Sequence, residues 1–246
     1  MSGKHNGDTS SGGSTIEFRA LSKAYRDVVA VNDLTATALP GRVTGFLGPN
    51  GAGKSTALRC LLGLAAATSG SATIGGVAYR DLPHPARVVG AVLDSRGFHP
   101  GLTGKQSLLV AAAAAGIPDS RVSKVLTAVD LEHAANKRVK GYSLGMTQRL
   151  AIAAALLGDP EVLVLDEPAN GLDPIGIVWL RELLREQATA GKTVLVSSHQ
   201  LAEMQHTIDD VLIINRGHLL ASGPIAEITN GASLEDAFLS IVGVRA

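Results

Sequence analysis

The segment that most constrains the fold is a glycine-rich stretch between two apolar runs. Eight of its nine residues fit the pattern G-x-x-x-x-G-K-[ST]: Gly48, Pro49, Asn50, Gly51, Ala52, Gly53, Lys54 and Ser55, with Thr56 directly after them. Residues 42–47 before it form an apolar run that predicts a strand. Residues 52–64 predict a helix, because their apolar positions recur at helical spacing. A strand, a Gly-rich loop and a helix in that order are typical of a phosphate-binding loop.

The residue types of this loop suit a dense anion such as a nucleoside triphosphate. Gly48, Gly51 and Gly53 let the backbone curl so that successive N–H groups point inward, and the helix N-terminus adds partial positive charge. Lys54 is expected to reach the β- and γ-phosphates, and Ser55 to offer its hydroxyl to magnesium. The alternative is a plain turn before a core helix, but the flanking strand and helix favour a loop that binds ATP with Mg²⁺.

A second acidic element follows another apolar run. Residues 162–165 are wholly apolar, which is typical of a strand buried on both faces of a parallel sheet, and Asp166 and Glu167 come directly after them. Asp166 is expected to join the magnesium shell. Glu167 is expected to point away from Asp166 and to polarise a water in line with the γ-phosphate. The alternative is a solvated acidic strand end.

Strand and helix patterns alternate along the rest of the chain, which predicts an α/β fold with a P-loop NTPase core. Further strands are predicted at residues 16–20, 28–38, 71–79, 88–93, 192–197, 211–214 and 218–221. Further helices are predicted at residues 102–115, 121–129, 147–157 and 177–190. The first three strands suggest an N-terminal antiparallel β subdomain, and the buried strands suggest a mostly parallel sheet. The helices within about 95–150 suggest an inserted helical subdomain.

Composition excludes several classes of protein. Lys and Arg together number 22, as do Asp and Glu, so no net field favours nucleic acid as a partner. The single cysteine, Cys60, lies in an apolar run and is expected to be a buried structural thiol. No apolar run approaches the roughly 20 residues that cross a membrane. Residues 1–15 are mostly Gly, Ser and polar residues, which predicts a flexible tail ahead of one domain over 16–246.

Three further motifs complete an ordered set. Tyr142–Gln148 has the sequence Y-S-L-G-M-T-Q, residues 170–173 are N-G-L-D, and His199 follows two serines at the end of a predicted strand. With the P-loop and the acidic strand end, these motifs resemble the nucleotide-binding subunits of ABC transporters. The resemblance covers residues 16 to 222, and its motifs stand in the family's order.

The resemblance implies roles for several residues. Tyr25 matches the aromatic that stacks on adenine, with a half-buried core Tyr as the alternative. Ser143 and Gly145 match the signature positions that face the γ-phosphate of a partner protomer, and Ser143 also suits a helix cap. Residues 170–173 match the loop that communicates across the dimer. His199 matches the switch histidine that contacts the γ-phosphate and holds Glu167.

One position departs from the family. Where the family usually has a Gln that touches magnesium, this chain has Asp94, which can still bind the metal but adds negative charge and donates no hydrogen bond. Leu144 and Met146 also replace the usual Gly and Gln of the signature. Together these departures resemble the branch that exports drugs and bacteriocins.

The resemblance therefore implies an ATPase that powers a separate membrane permease, with two copies, identical or not, enclosing two ATP molecules. Such a subunit is expected in the cytoplasm, held peripherally at the inner face of the plasma membrane by the permease. An ATPase of this type serving a non-transport assembly is the main alternative, and a non-hydrolysing ATP-binding regulator is another. Phe98 and Leu102 are expected to form an apolar docking patch for the permease, unless both fold into the local core.

Overall fold

A computed structural model describes residues 13–95 and 97–243. Most of the predicted flexible tail, residues 1–12, lies outside the described residues. The end that is described is held against the domain: Gly13 N donates to Gly191 O at 2.8 Å, and Ser14 Oγ donates to Glu161 Oε2 at 2.6 Å. Residues 13–15 therefore belong to the folded domain.

The elements alternate between strand and helix along the chain, as an α/β fold requires. The strands are β1 (Ile16–Tyr25), β2 (Val28–Ala38), β3 (Val43–Leu47), β4 (Ser69–Ile74), β5 (Val89–Val92), β6 (Val162–Asp166), β7 (Thr193–Ser198), β8 (Asp210–Asn215) and β9 (His218–Pro224). The helices are α1 (Lys54–Leu61), α2 (Pro85–Val88), α3 (Gly104–Ala114), α4 (Ser120–Ala128), α5 (Leu144–Leu156), α6 (Pro174–Thr189), α7 (Leu201–Met204), α8 (Ile225–Thr229) and α9 (Leu234–Val242).

The smaller sheet is antiparallel with strand order β2-β1-β4, which confirms the predicted N-terminal β subdomain. Its third strand is shorter than predicted and ends at Ile74. Gly75 and Gly76 turn the chain with φ values of 57° and 79°, conformations that favour glycine. After the turn, an isolated bridge pairs Ile74 with Val77. The predicted strand 71–79 therefore wrongly included the turn and the residues that follow it.

The larger sheet has strand order β5-β6-β7-β3-β8-β9 and is parallel except for the β8–β9 pair. The mostly parallel sheet was predicted, and it is confirmed. Every residue of β3 is buried, as a strand covered on both faces should be. Because β3, β6 and β7 run in the same direction, their carboxyl ends meet at one edge of the sheet, where a ligand site is expected.

The three helices α3, α4 and α5 form in the region predicted to be a helical insert, but none begins at the predicted residue, and α4 differs by only one. Helix α3 begins at Gly104, where Thr103 and Gln106 form a reciprocal capping box. Helix α5 begins at Leu144, three residues earlier than predicted, because the Ser143 hydroxyl accepts a hydrogen bond from Met146 N at 3.2 Å. Helices α8 and α9 were not predicted.

The tryptophan ties α6 to two of these helices. Trp179 Nε1 on α6 donates to Ala128 O at the end of α4, at 3.2 Å. The guanidinium of Arg149 on α5 lies 4.1 Å from the centre of the indole ring, and its Nη1 donates to Val129 O at 2.9 Å. One side chain thus joins α4, α5 and α6 through a hydrogen bond and a cation–π contact.

The structure corrects one prediction about an apolar side chain, Cys60, and favours one of the two alternatives for another, Phe98. Cys60 is half-buried rather than buried, and burial raises the pKa of its thiol, which favours the protonated form. Phe98 is half-buried and packs against the main core cluster instead of standing free. The backbone near Phe98 is also tied down: Val139 N donates to Leu102 O at 2.8 Å, and Lys140 N donates to Pro100 O at 3.1 Å.

Within the described ranges, 13–95 and 97–243, the helices are all too short or too polar to cross a bilayer.

Candidate nucleotide site

The predicted phosphate loop lies between β3 and α1, at the edge where the parallel strands end. Two of its glycines allow close backbone packing. A Cβ on Gly48 would collide with the Ile214 carbonyl, and one on Gly53, which caps α1 with φ 109°, would collide with the Ala30 carbonyl. The loop is therefore clamped between β2 and β8, and a larger residue at either glycine would push it out of place.

Lys54 is the first residue of α1, and its side chain folds back along the loop. The residue is only 6% exposed, and Nζ donates to Gly48 O at 2.6 Å and to Pro49 O at 3.3 Å. Burying an ammonium is costly unless it is paired, and these carbonyls, with a carboxylate oxygen of Glu167 at 3.7 Å, supply the pairing. The charge is thus held in place within the loop that it is predicted to serve.

Asp166 and Glu167 line one cavity, although strand alternation predicted that they would point apart. Strand β6 ends at Asp166, and Glu167 takes a left-handed conformation with φ 51°. That conformation breaks the alternation, so both carboxylates reach the same space. The expected opposite orientation was therefore wrong, for a reason that a strand pattern does not encode.

The carboxylate of Glu167 contacts two other predicted site residues. One oxygen, Oε2, lies 2.8 Å from His199 Nδ1, and the other, Oε1, lies 3.7 Å from Lys54 Nζ. When the carboxylate is ionised it only accepts hydrogen bonds, so the first contact then requires the tautomer of His199 that carries a proton on Nδ1. Glu167 is mostly buried whereas His199 is exposed, so the histidine closes the site from the solvent side.

A serine that the sequence did not single out connects the two acids. Ser197, at the end of β7, donates its hydroxyl proton to Asp166 Oδ1 and accepts a hydrogen bond from Glu167 N at 3.0 Å. Register pairs Ser197 with Asp166 across β6 and β7. The sequence carried only a weak signal, a polar residue ending an apolar strand, and its meaning depends on which strand lies alongside.

Two adjoining cavities follow the P-loop. One, of about 210 Å³, is lined by residues 50–56 with Ala30 and Glu167. The other, of about 430 Å³, shares Ser55 and Glu167 with the first and adds Asp94 and Asp166. The second cavity therefore presents a hydroxyl and several carboxylates, all hard oxygen donors of the kind Mg²⁺ prefers. The residues predicted as metal ligands, Ser55, Asp166 and Asp94, line it together.

The two signature residues expected to face a phosphate, Ser143 and Gly145, do not line the larger cavity. From α5, Leu144 and Gln148 line the larger cavity rather than Ser143 or Gly145. Ser143 caps α5, as expected, and is exposed. A Cβ on Gly145 would lie 3.1 Å from Gly171 O, so the signature packs against the predicted dimer loop at residues 170–173 of the same chain. That loop ends where Asp173 caps α6, accepting from Gly176 N at 2.7 Å.

Tyr25 lies apart from both cavities, at the end of β1. The residue is 46% exposed, and Lys23 Nζ lies 4.6 Å from the ring centre. Part of the side chain is therefore open to solvent, and one face of the ring is already covered by a cation.

The chain is similar in sequence to several known proteins. The model of the ABC transporter family matches residues 31–170. The bacitracin transport ATP-binding protein BcrA of Enterococcus faecalis is 39% identical over 216 residues, covering 87% of this chain and 70% of that protein. The lantibiotic transport ATP-binding protein SrtF of Streptococcus pyogenes is 35% identical over 225 residues, covering 91% and 95% of the two chains.

Solved structures show the same fold. The structure of an ATP-binding subunit of an ABC transporter superposes with a TM-score of 0.84 at 28% identity, over 92% of this chain and 99% of that one. The dimeric cassette MJ0796 superposes with a TM-score of 0.78 at 23% identity, over 85% and 98% of the two chains.

Proposed function

Because the chain belongs to the ABC transporter family and is an ATPase of that family, we propose that it couples ATP hydrolysis to a separate membrane permease that exports peptide or drug-like compounds. Similarity to bacitracin and lantibiotic transport proteins supports this class of compound. An assignment to a non-transport assembly has no comparable support among these relatives.

The observation that carries the proposed chemistry is the double contact of Glu167 with Lys54 and His199 at the end of the P-loop. In this proposal Glu167 orients the attacking water and accepts its proton, while His199 keeps the carboxylate aimed at the γ-phosphate. Lys54 and the backbone N–H groups of residues 50–56 bind the β- and γ-phosphates and stabilise the charge that develops on them. Positioning and charge neutralisation thus supply most of the rate enhancement.

A magnesium ion fits the donor set beside the loop. Ser55, Asp166 and Asp94 would hold it with one hydroxyl and two carboxylates, all hard oxygen ligands. When bound, the ion neutralises charge on the β- and γ-phosphates. Asp94 brings a full negative charge to this site, whereas the amide usual in the family is neutral.

We propose that two copies close around ATP, each facing the other's P-loop with its signature. Ser143 is exposed at the start of α5, a helix of 13 residues whose N-terminal N–H groups and dipole favour an anion. The exposed ring of Tyr25 is proposed to stack on adenine, with its open face toward the base.

We propose that the subunit is cytoplasmic and is held at the inner face of the plasma membrane by its permease. Membrane fractionation tests this attachment. The chain should sediment with membranes only when it is co-expressed with its permease, and bacitracin or a lantibiotic should raise the ATPase activity of the resulting vesicles. Sedimentation with lipid vesicles that lack protein would contradict attachment through a permease.

The substitution Glu167→Gln tests the catalytic assignment. It removes the proton acceptor and keeps the shape, so turnover should fall by about 100-fold or more while ATP still binds. The variant should then accumulate as an ATP-bound dimer in gel filtration. Glu182→Gln, an exposed position on α6, is the matched control and should behave as wild type. Wild-type turnover in Glu167→Gln would remove Glu167 from the mechanism.

A further inference from the structure

We infer that Ser197 is a positioning residue for hydrolysis: through one hydroxyl it fixes the carboxylate of Asp166 and the backbone of Glu167. This inference rests on the proposed ATPase site. Ser197 itself is not placed against the nucleotide, so it acts through the two acids.

The position of Ser197 leaves its hydroxyl little freedom. The residue is fully buried at the end of β7, directly opposite Asp166 in the parallel pairing of β6 and β7. A buried hydroxyl must find partners, because leaving one unpaired costs free energy. Asp166 Oδ1 and Glu167 N are those partners.

The hydroxyl of Ser197 can donate only one hydrogen bond, which decides which oxygen of Asp166 it holds. A serine hydroxyl has one proton to donate, and here it goes to Asp166 Oδ1. That bond holds one oxygen of the carboxylate and leaves Oδ2 as the free donor for a cation. Metal-binding carboxylates are commonly oriented by such outer partners, whose loss typically costs 10–100-fold in metal affinity or activity.

The same oxygen supports the unusual backbone of Glu167. A non-glycine residue with φ 51° is uncommon and persists where its surroundings hold it. Glu167 N donates to Ser197 Oγ at 3.0 Å and also to Ser197 O at 3.2 Å. This pair of bonds fixes the peptide from which the Glu167 side chain departs toward His199 and Lys54.

The neighbouring residue offers a matched comparison. Ser198 is also buried on β7, but its hydroxyl accepts a hydrogen bond from Gln200 N at 2.9 Å, away from the two acids. Ser197→Ala and Ser198→Ala each remove one buried hydroxyl from adjacent positions of one strand. Only the first removes the bridge.

The experiment compares these variants with Ser197→Thr, which restores a hydroxyl. Steady-state kinetics gives kcat and KM, calorimetry gives the affinity for ATP with Mg²⁺ and with EDTA, and thermal melting gives stability. For Ser197→Ala we expect kcat and the Mg²⁺-dependent gain in ATP affinity to fall about 10–100-fold, with the affinity in EDTA unchanged. Ser197→Thr should recover most of both, and Ser198→Ala should keep both.

A drop in melting temperature alone, equal in Ser197→Ala and Ser198→Ala, would overturn the inference, because it would leave Ser197 a merely structural role. If Ser197→Ala does not fold, Ser197→Cys keeps the volume with a weaker donor, and normal Mg²⁺ dependence there would equally overturn it. Absence of hydrolysis by the wild-type chain is a different result, which would contradict the proposed function instead.

Discussion

Two regions of the chain are proposed to meet the same triphosphate, and they are built differently. The phosphate edge comprises Lys54, Asp166, Glu167 and His199, whose side chains contact one another or a shared serine. The signature end comprises Ser143, Leu144 and Gly145 at the start of α5. There the Ser143 cap is satisfied locally by Met146 N, and the glycine packs on the neighbouring loop.

The difference shows where each region gets its function. The phosphate edge is assembled by one chain, because three parallel strands deliver their ends to one place. The signature end forms a stable helix start whether or not a phosphate arrives, so its proposed ligand must come from a second copy. Substitutions at the phosphate edge should weaken ATP binding or hydrolysis through the chain that carries them. Substitutions at the signature end should leave ATP binding by a single chain intact and lower only the hydrolysis that needs the dimer.

The largest expected effect tests the phosphate edge. Lys54→Ala removes the buried ammonium, and losing one partner of a buried charge pair costs about 2–5 kcal/mol or more. Binding at sub-millimolar ATP should therefore disappear in calorimetry. Lys105→Ala, on the exposed face of α3, should bind normally. Near-normal affinity in Lys54→Ala would mean that the Gly-rich loop is only a turn.

A smaller effect is expected at the signature end. Ser143→Ala should leave ATP affinity of the single chain unchanged and lower turnover about tenfold, the factor that 1.4 kcal/mol of lost stabilisation produces. Loss of the cap should also cost about 1 kcal/mol of stability. Ser233→Ala removes the equivalent cap of α9 and should lose stability without losing turnover. Equal turnover in the two variants would place Ser143 outside the site.

Phe98 tests whether the segment after Asp94 belongs with the packed part of the molecule. Full burial would make Phe→Ala cost about 3–5 kcal/mol, so a half-buried ring should cost roughly half of that. The melting temperature of Phe98→Ala should therefore fall by several degrees. Val110→Ala, 60% exposed on α3, should change it little. An unchanged melting temperature with lower permease-stimulated activity would favour the docking patch instead.

The smallest effect concerns an ion pair remote from the phosphate edge. Lys192 Nζ donates a hydrogen bond to Asp159 Oδ1 at 2.6 Å. This bond holds the pKa of Asp159 below its usual value. Its stabilisation is therefore present above the unfolded pKa and is lost as pH falls through the lower folded pKa. Asp159→Asn, which tolerates the left-handed backbone, should lower stability at pH 7 by at most about 1 kcal/mol, with the difference shrinking in acid. A difference that grows on acidification in chemical denaturation would contradict this pairing.

Sequence predicted the parts of the site that one segment encodes. The P-loop and the acidic strand end are local patterns, and the parallel sheet follows from wholly apolar runs. The orientation of Glu167 could not be predicted because it depends on a single left-handed residue, and the bridge through Ser197 depends on strand order. The start of α5 was placed three residues late, at residue 147, although Ser143 was already expected to suit a helix cap.

The roles assigned to individual site residues stay predictions, which the substitutions above test. The helices α8 and α9 were missed for another reason. They are short, and their apolar side chains pack on the core through tertiary contacts rather than forming a long periodic run.

The position of Trp179 makes it an intrinsic fluorescence probe of the contact between α4, α5 and α6. The chain has a single tryptophan, so all of its indole emission arises between α4, α5 and α6. Indole emission depends on nearby charge, and here the Arg149 guanidinium lies over the ring. A movement of α5 relative to α6 changes the distance between the Arg149 guanidinium and the Trp179 ring. We expect the wavelength or intensity of the emission to change with that distance. The unlabelled protein therefore reports the motion of its signature helix directly.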